Sequence, residues 1–207
     1  MAITTYSELK IAIQSWAKRT DIVDQFDTFI DIAESIMFAN PDASLRIRDM
    51  ETRATGTLST ANRYEPLPAN YLQMRQVKLN LDAGDLFLEY KSPESLHISP
   101  AAGIPRYYTI GSQIELERVP DDDYTIEFLY YATPTPLSDA APTNAVLTRF
   151  PLIYLYGALY AFSQWSMQEE KASFYYQSFI KAIQGANHLD KRGRYHSPAG
   201  RIAGVTP

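Results

Sequence analysis

The 207-residue chain has no cysteine, which excludes disulfides, thiolate metal sites and thiol catalysis. Histidine is nearly as scarce. His97, His188 and His196 show no H-x-x-x-H spacing, so no zinc set is expected. The chain also lacks a G-x-S-x-G elbow, a Walker glycine loop and a G-x-G-x-x-G turn, and no cofactor is expected. The opening residues, MAITTYSELK, carry neither a basic n-region nor an apolar h-region, so no secretory leader is expected. The uncharged run from Phe150 to Phe162 is far shorter than the roughly 20 residues that span a bilayer, so its cover is expected to be protein, not membrane.

Positive charge is in deficit: 19 Lys and Arg stand against 24 Asp and Glu, a net of −5. The deficit is uneven. From Lys181 to the end, five cations face Asp190 alone, a net of +4, which leaves −9 for the rest. An acidic body argues against wrapping DNA, because affinity for phosphates comes chiefly from basic contacts that release counterions. What the chain has in quantity is aromatic surface, 15 tyrosines and 9 phenylalanines. Tyrosine joins apolar area to a polar tip and suits interfaces between proteins.

The central stretch is Arg149 to Leu189. Its first half is apolar on every side and must be covered on every side. From Gln168 the pattern becomes one-sided, with Ala172, Tyr175 or Tyr176, Phe179, Ile183, Ala186 and Leu189 recurring at helical spacing. A buried helix followed by an amphipathic one is the expectation. Near the start, Thr5 and Glu8 have capping-box spacing ahead of a stripe of Tyr6, Leu9, Ile13 and Trp16. A second helix, about Val23 to Ala39, buries Phe26, Phe29, Ile30, Ala33, Ile36 and Met37, while Asp24, Asp27, Asp31 and Glu34 form an acidic face. That face reads as a solvated surface or, more sharply, as a channel lining. Asn40–Pro41–Asp42 ends this helix, and a helical turn is expected to resume through Leu45 and Ile47.

Strand character begins at Asp49. Thr52 to Thr60, Met74 to Asn80 and Leu86 to Tyr90 read as strands, with prolines at 66 and 68 marking a turn. A single helical turn is expected from Pro93. Gly111–Ser112 closes a hairpin between Arg106–Ile110 and Gln113–Val119, and Tyr124–Tyr131 would complete a three-stranded antiparallel meander. Asn144 is placed to cap the lead-in to the late helices. The fold expected is α+β. N- and C-terminal helices, residues 1–48 and 133–189, form mainly a helical bundle around an inserted antiparallel β region, residues 49–132, followed by an extended C-terminal arm, residues 190–207.

Three consecutive aspartates, Asp121 to Asp123, lack the alternating ligands and glycine of a calcium loop and read as a turn after Pro120. Glu115, Glu117 and the Asp121 cluster could in principle pair for glycosidic chemistry, but strand-surface acids explain them. The arm is more informative. Lys191, Arg192 and Arg194 follow a helix end, where cations complement the dipole, and Tyr195, Arg201, Ile202 and Val205 continue among small residues. Such a segment suits docking onto a partner's groove or sheet edge.

The succession TTYSELKIAIQSWAKRTD, LRIRDMETRATGTL, YEPLPANYLQMRQVKLN, GIPRYYTIGSQIELERVPDDDYTIEFLYYATPTPLS and FPLIYLYGALYAF resembles the head-to-tail adaptor, or gateway, proteins of tailed bacteriophages, including the tail tubular protein A group. The resemblance spans nearly the whole chain. It implies a non-enzymatic structural protein of the virion neck, assembled in the host cytoplasm. It further implies a dodecameric ring below the portal protein that continues the DNA channel without specific DNA binding and presents a platform for tail nozzle and fibre proteins. In such proteins the helices form the ring and the C-terminal arm reaches the portal. Portal contact thereby falls to Lys191, Arg192, Arg194, Tyr195, Arg201, Ile202 and Val205, and the β insertion is left for tail proteins. A tail-associated cell-wall hydrolase and a DNA-end binder acting through the basic arm are the competing readings.

Overall fold

The computed structural model describes residues 2–194. It is α+β, and it divides into two compact units, Met50–Thr133 and the chain on either side of that segment.

The flanking unit is helical. Helix α1, Tyr6–Ala17, starts in the expected capping box: the Glu8 amide donates to Thr5 Oγ1 at 3.3 Å, and the Thr5 amide donates back to Glu8 Oε2 at 3.1 Å. Two of the orphan amides of the first turn are thereby satisfied. Tyr6, Leu9 and Ile13 are buried as the stripe requires, but Trp16 is 48 % exposed, its ring set edge-to-face against Tyr156. A 3₁₀ turn, Val23–Gln25, leads into α2, Phe26–Ala39, which buries Phe26, Phe29, Ile30, Ala33 and Met37. Beyond Asn40 the helical turn expected at Leu45 and Ile47 does not form. Both side chains are fully buried from an extended segment, as their spacing of two allows.

Asn144 caps α3, Ala145–Arg149, by accepting from the Leu147 amide at 2.9 Å. Helix α4, Pro151–Trp165, and α5, Glu169–Arg194, follow. Helix α4 packs against α1, α2 and α5. Ile153, Tyr154, Leu155, Ala158, Leu159, Ala161 and Phe162 are buried, so its middle is sheathed as its composition demands, while Leu152 and Trp165 near its ends are about half exposed. The close approach depends on Gly157: a Cβ there would stand 2.7 Å from Ala33 Cβ of α2 and 3.1 Å from Phe179 Cε2 of α5.

The second unit holds two four-stranded sheets. The first has the order β1 (Glu51–Thr57), β8 (Thr125–Ala132), β3 (Tyr71–Leu81), β4 (Gly84–Phe87), and is antiparallel throughout. The second has the order β2 (Tyr64–Pro66), β7 (Gln113–Leu116), β6 (Tyr107–Ile110), β5 (Glu89–Tyr90), with a parallel pair only between β5 and β6. Val77, Leu79, Ile126, Phe128 and Tyr130 from the first sheet meet Tyr108, Ile114 and Leu116 from the second in one apolar core. The alternation along β8 is thus the expected one.

Its neighbours are not. The β6–β7 hairpin forms at Gly111–Ser112, but β8 does not extend it into a meander; it lies between β1 and β3 in the other sheet. The cause is the connection from Glu117 to Tyr124, too long for a tight hairpin and containing Pro120, which has no amide to give to a ladder. The single strand expected over Leu86–Tyr90 is two, broken at Leu88, whose buried side chain joins the core while its amide donates to Val77 O at 2.9 Å. Strand β2 falls where prolines suggested only a turn; its Pro66 sits at a sheet edge, where a missing amide is tolerated.

Candidate functional site

The basic residues after position 190 are the sequence's main candidates, and the first of them stand on a helix. Helix α5 runs through Arg194, so Lys191, Arg192 and Arg194 occupy its last turns and not an extended arm. The inner stripe explains the continuation: Phe179, Ile183, Ala186 and Asp190 recur at helical spacing and are all buried. Leu189, expected on that stripe, is instead 55 % exposed, and Asp190 takes the inner position. Tyr195, Arg201, Ile202 and Val205 lie outside the described residues.

The end of α5 is fastened laterally. Asn187 Oδ1 accepts from the Arg46 amide and its Nδ2 donates to Ser44 O, each at 2.8 Å. One side chain thereby takes the place of a strand partner for the extended segment around Leu45. Higher on the same helix, the Tyr176 hydroxyl donates to Asp42 Oδ2 at 2.6 Å and accepts from Asn40 Nδ2 at 3.1 Å. Beside Asp190, Arg149 Nη1 reaches Asp49 Oδ2 at 2.7 Å. That hydrogen bond and the Asp49 charge, with a smaller contribution from Asp190, raise the Arg149 guanidinium above its ordinary value. The basic end of α5 therefore issues from a fixed base.

A second polar cluster lies within the helical unit. The Tyr154 hydroxyl donates to Glu34 Oε1 at 2.8 Å and accepts from Asn144 Nδ2 at 2.7 Å, and the Leu137 amide donates to the same Glu34 oxygen at 3.0 Å. Burial pushes the Glu34 carboxyl up, against the pull of these two donors. Burial also pushes Tyr154 up, reinforced by the Glu34 charge. The group binds the connection before α3 to α2 and α4. Its members are satisfied by one another, which suits a structural tie. Glu34 is thus no part of a purely solvated acidic face, whereas Asp24 and Asp31 are exposed.

The carboxylates weighed for hydrolysis are engaged elsewhere. Glu115 Oε1 accepts from Arg63 Nε at 3.0 Å. Buried Glu117 accepts from Arg118 Nε at 3.1 Å and from the Arg106 amide at 3.2 Å. Asp121 accepts from the Tyr124 hydroxyl at 2.7 Å. Among the described residues no group of three or more acids and histidines is placed to hold a metal ion, and no helix is long and apolar enough to cross a membrane.

What remains is surface. Met50–Thr133 carries twelve acidic residues and seven basic ones, so the whole net charge of −5 resides in the β unit and the flanking segments balance. Large apolar groups are exposed in both units, among them Trp16, Trp165, Phe174 and Met167 in the helical unit and Phe87 and Tyr90 in the β unit. Met167 is 89 % exposed with φ at 55°, a left-handed conformation uncommon for a bulky residue. The chain is thus an α+β protein with tied helices, an acidic β unit and exposed aromatic side chains. The SU10 adaptor protein family matches residues 4–202, and the chain belongs to that family of phage adaptor proteins. No curated protein matches it.

Proposed function

We propose that this protein is a head-to-tail adaptor of the virion neck, twelve copies of which form a ring that joins the portal to the tail nozzle and fibres and continues the DNA channel. The family match over residues 4–202 carries the adaptor role. In this reading the N- and C-terminal helices make a bundle that forms the ring wall. The portal is met by Lys191, Arg192, Arg194, Tyr195, Arg201, Ile202 and Val205, and the β unit faces the tail proteins. Three observations support the assignment. Lys191, Arg192 and Arg194 stand at the end of a helix that Asn187 ties to the segment around Leu45. The negative charge lies in the β unit, away in sequence from those cations. An excess of acid on the chain disfavours tight phosphate contacts, so packaged DNA slides past.

The test is capture by the cognate portal ring of the full chain, a truncation after Arg194, and a full-length Lys191→Glu/Arg192→Glu variant. Cutting after Arg194 leaves α5 whole. Capture of the full chain with loss of binding in the truncation and the charge-reversed variant is expected. Equal capture of all three would remove the C-terminal end from the portal contact, and capture of none would remove the portal as the partner.

A further inference from the structure

The outer face of the first sheet carries a row of four charges, one from each strand. Arg53 Nη1 of β1 lies 2.6 Å from Glu127 Oε1 of β8. Glu127 Oε2 lies 3.2 Å from Lys78 Nζ of β3, and Lys78 Nζ lies 2.8 Å from Asp85 Oδ2 of β4. The signs alternate in the order of the strands, plus, minus, plus, minus. Its inner members are shielded, with side-chain exposures of 16 % for Glu127 and 18 % for Lys78. Its outer members are open, at 66 % for Arg53 and 47 % for Asp85. The row thus begins with an open cation at one edge of the sheet and ends with an open anion at the other.

The two edges themselves are free of strand partners among the described residues, since β1 pairs only with β8 and β4 only with β3. Strand β1 keeps an unbroken register from Glu51 to Thr57, with no bulge and no proline. Exposed edges of this kind are templates for another strand, and most proteins blunt them with bulges, prolines or coverings. Direction fits as well. Four strands in wholly antiparallel order leave β1 and β4 running opposite ways, so a β1 edge laid beside a β4 edge continues the antiparallel sheet.

We infer that β1 of one copy of this chain pairs with β4 of the next, placing Arg53 of one beside Asp85 of the other, so that the charge row runs on from copy to copy. The inference rests on the ring reading and supplies one of its contacts. Such a junction uses different surfaces on the two copies, the arrangement that closes into rings and not into two-fold dimers. It is short, because β4 offers only Gly84–Phe87, and Phe87, 56 % exposed, would be covered by it.

The absence of native cysteine makes the contact directly testable. Full-length Arg53→Cys, Asp85→Cys and the double variant are prepared, and folding is checked by circular dichroism. Each is then oxidised alone and with purified portal, while the mass of the non-covalent assembly is read by light scattering. The expected result is a covalent ladder of many copies from the double variant. An equimolar mixture of the two single variants should stop at dimers, and neither single variant alone should cross-link. Assemblies of ring mass without the ladder overturn the edge contact and leave the ring reading intact. Folded chains that neither assemble nor cross-link, with or without portal, overturn both.

Discussion

The helical unit and the β unit of this protein are held together by different means. In the helical unit polar groups are drawn inside and tied across long sequence separations: Tyr154 to Glu34, Asn187 to the backbone at Ser44 and Arg46, Tyr176 to Asn40. Its charges balance, and its exposed side chains include two tryptophans. The β unit has an apolar interior built from strand alternation, while most of its charges, buried Glu117 apart, stay on the faces and join into pairs such as Arg53–Glu127 and Lys78–Asp85. These partly buried hydrogen bonds between elements hold one geometry, because leaving a member unpaired costs up to about 1–3 kcal/mol where it is shielded from water. Surface ion pairs contribute about 0–1 kcal/mol each, and so leave a face free to exchange partners. One unit is built to hold its shape and the other to present charge.

Breaking the helical unit should have the largest effect. Gly157→Val places a branched side chain where Ala33 and Phe179 already stand, and is expected to cost about 3 kcal/mol or to prevent folding, as read by urea unfolding. Gly185→Ala on α5, where nothing lies within 4 Å of the added carbon, should instead gain about 0.5–1 kcal/mol. Finding the two changes alike would show that close helix approach at Gly157 is not what holds the unit. Thr5→Ala removes one arm of the capping box and should cost about 1 kcal/mol, with Tm as the measure.

The β unit is sharpened by pH. Burial alone pushes the Glu65 carboxyl above its ordinary 4.5. A group whose folded-state pKa is raised binds its proton more tightly when folded, so its influence on stability is most favourable below the unfolded value and declines as pH rises through the folded one. Glu65→Gln should flatten the stability profile on the alkaline side of 4.5, and Glu34→Gln should act in the same direction in the helical unit. Asp27 has the opposite sign. The hydrogen bonds from Lys10 and Tyr6 hold it below its ordinary 3.8, so its contribution is present above that value and is lost as pH falls through the folded pKa. An Asp27→Asn profile that stays parallel to the parent below pH 4 would contradict this. The smallest effect is expected for Arg53→Ala: no more than about 0.5 kcal/mol of stability, because Arg53 is 66 % exposed to water and Glu127 keeps Lys78 as a partner. A larger loss would make the charge row a stabilising device of the single chain and weaken its reading as a junction.

Features carried by neighbouring residues were legible in the sequence. The Thr5–Glu8 box, the Asn144 cap, the uncharged run of α4 and the Gly111–Ser112 hairpin each depend on residues within one or two turns of each other, and each stands where the spacing put it. Strand partners were not legible. The alternation of Ile126, Phe128 and Tyr130 says which face of β8 is buried, and says nothing of which strands flank it. The Glu34–Tyr154 bond spans 120 positions and leaves no local mark. At the candidate site, the basic and glycine-containing composition after Leu189 masked a helical stripe that was there to be read: from Phe179 and Ile183 through Ala186, the next inner position is Asp190. Carboxylates are seldom inner residues, so a stripe drawn through apolar residues alone runs to Leu189 and misses Asp190.

The central claim is assembly as a ring on the portal, and the mass of the complex between the full-length chain and the purified portal tests it most directly. The adaptor account predicts a saturating gain of twelve times the 23.4 kDa chain, with no stable intermediate gain when portal is in excess. A gain that stops at one or a few chains, or none at all, would contradict it.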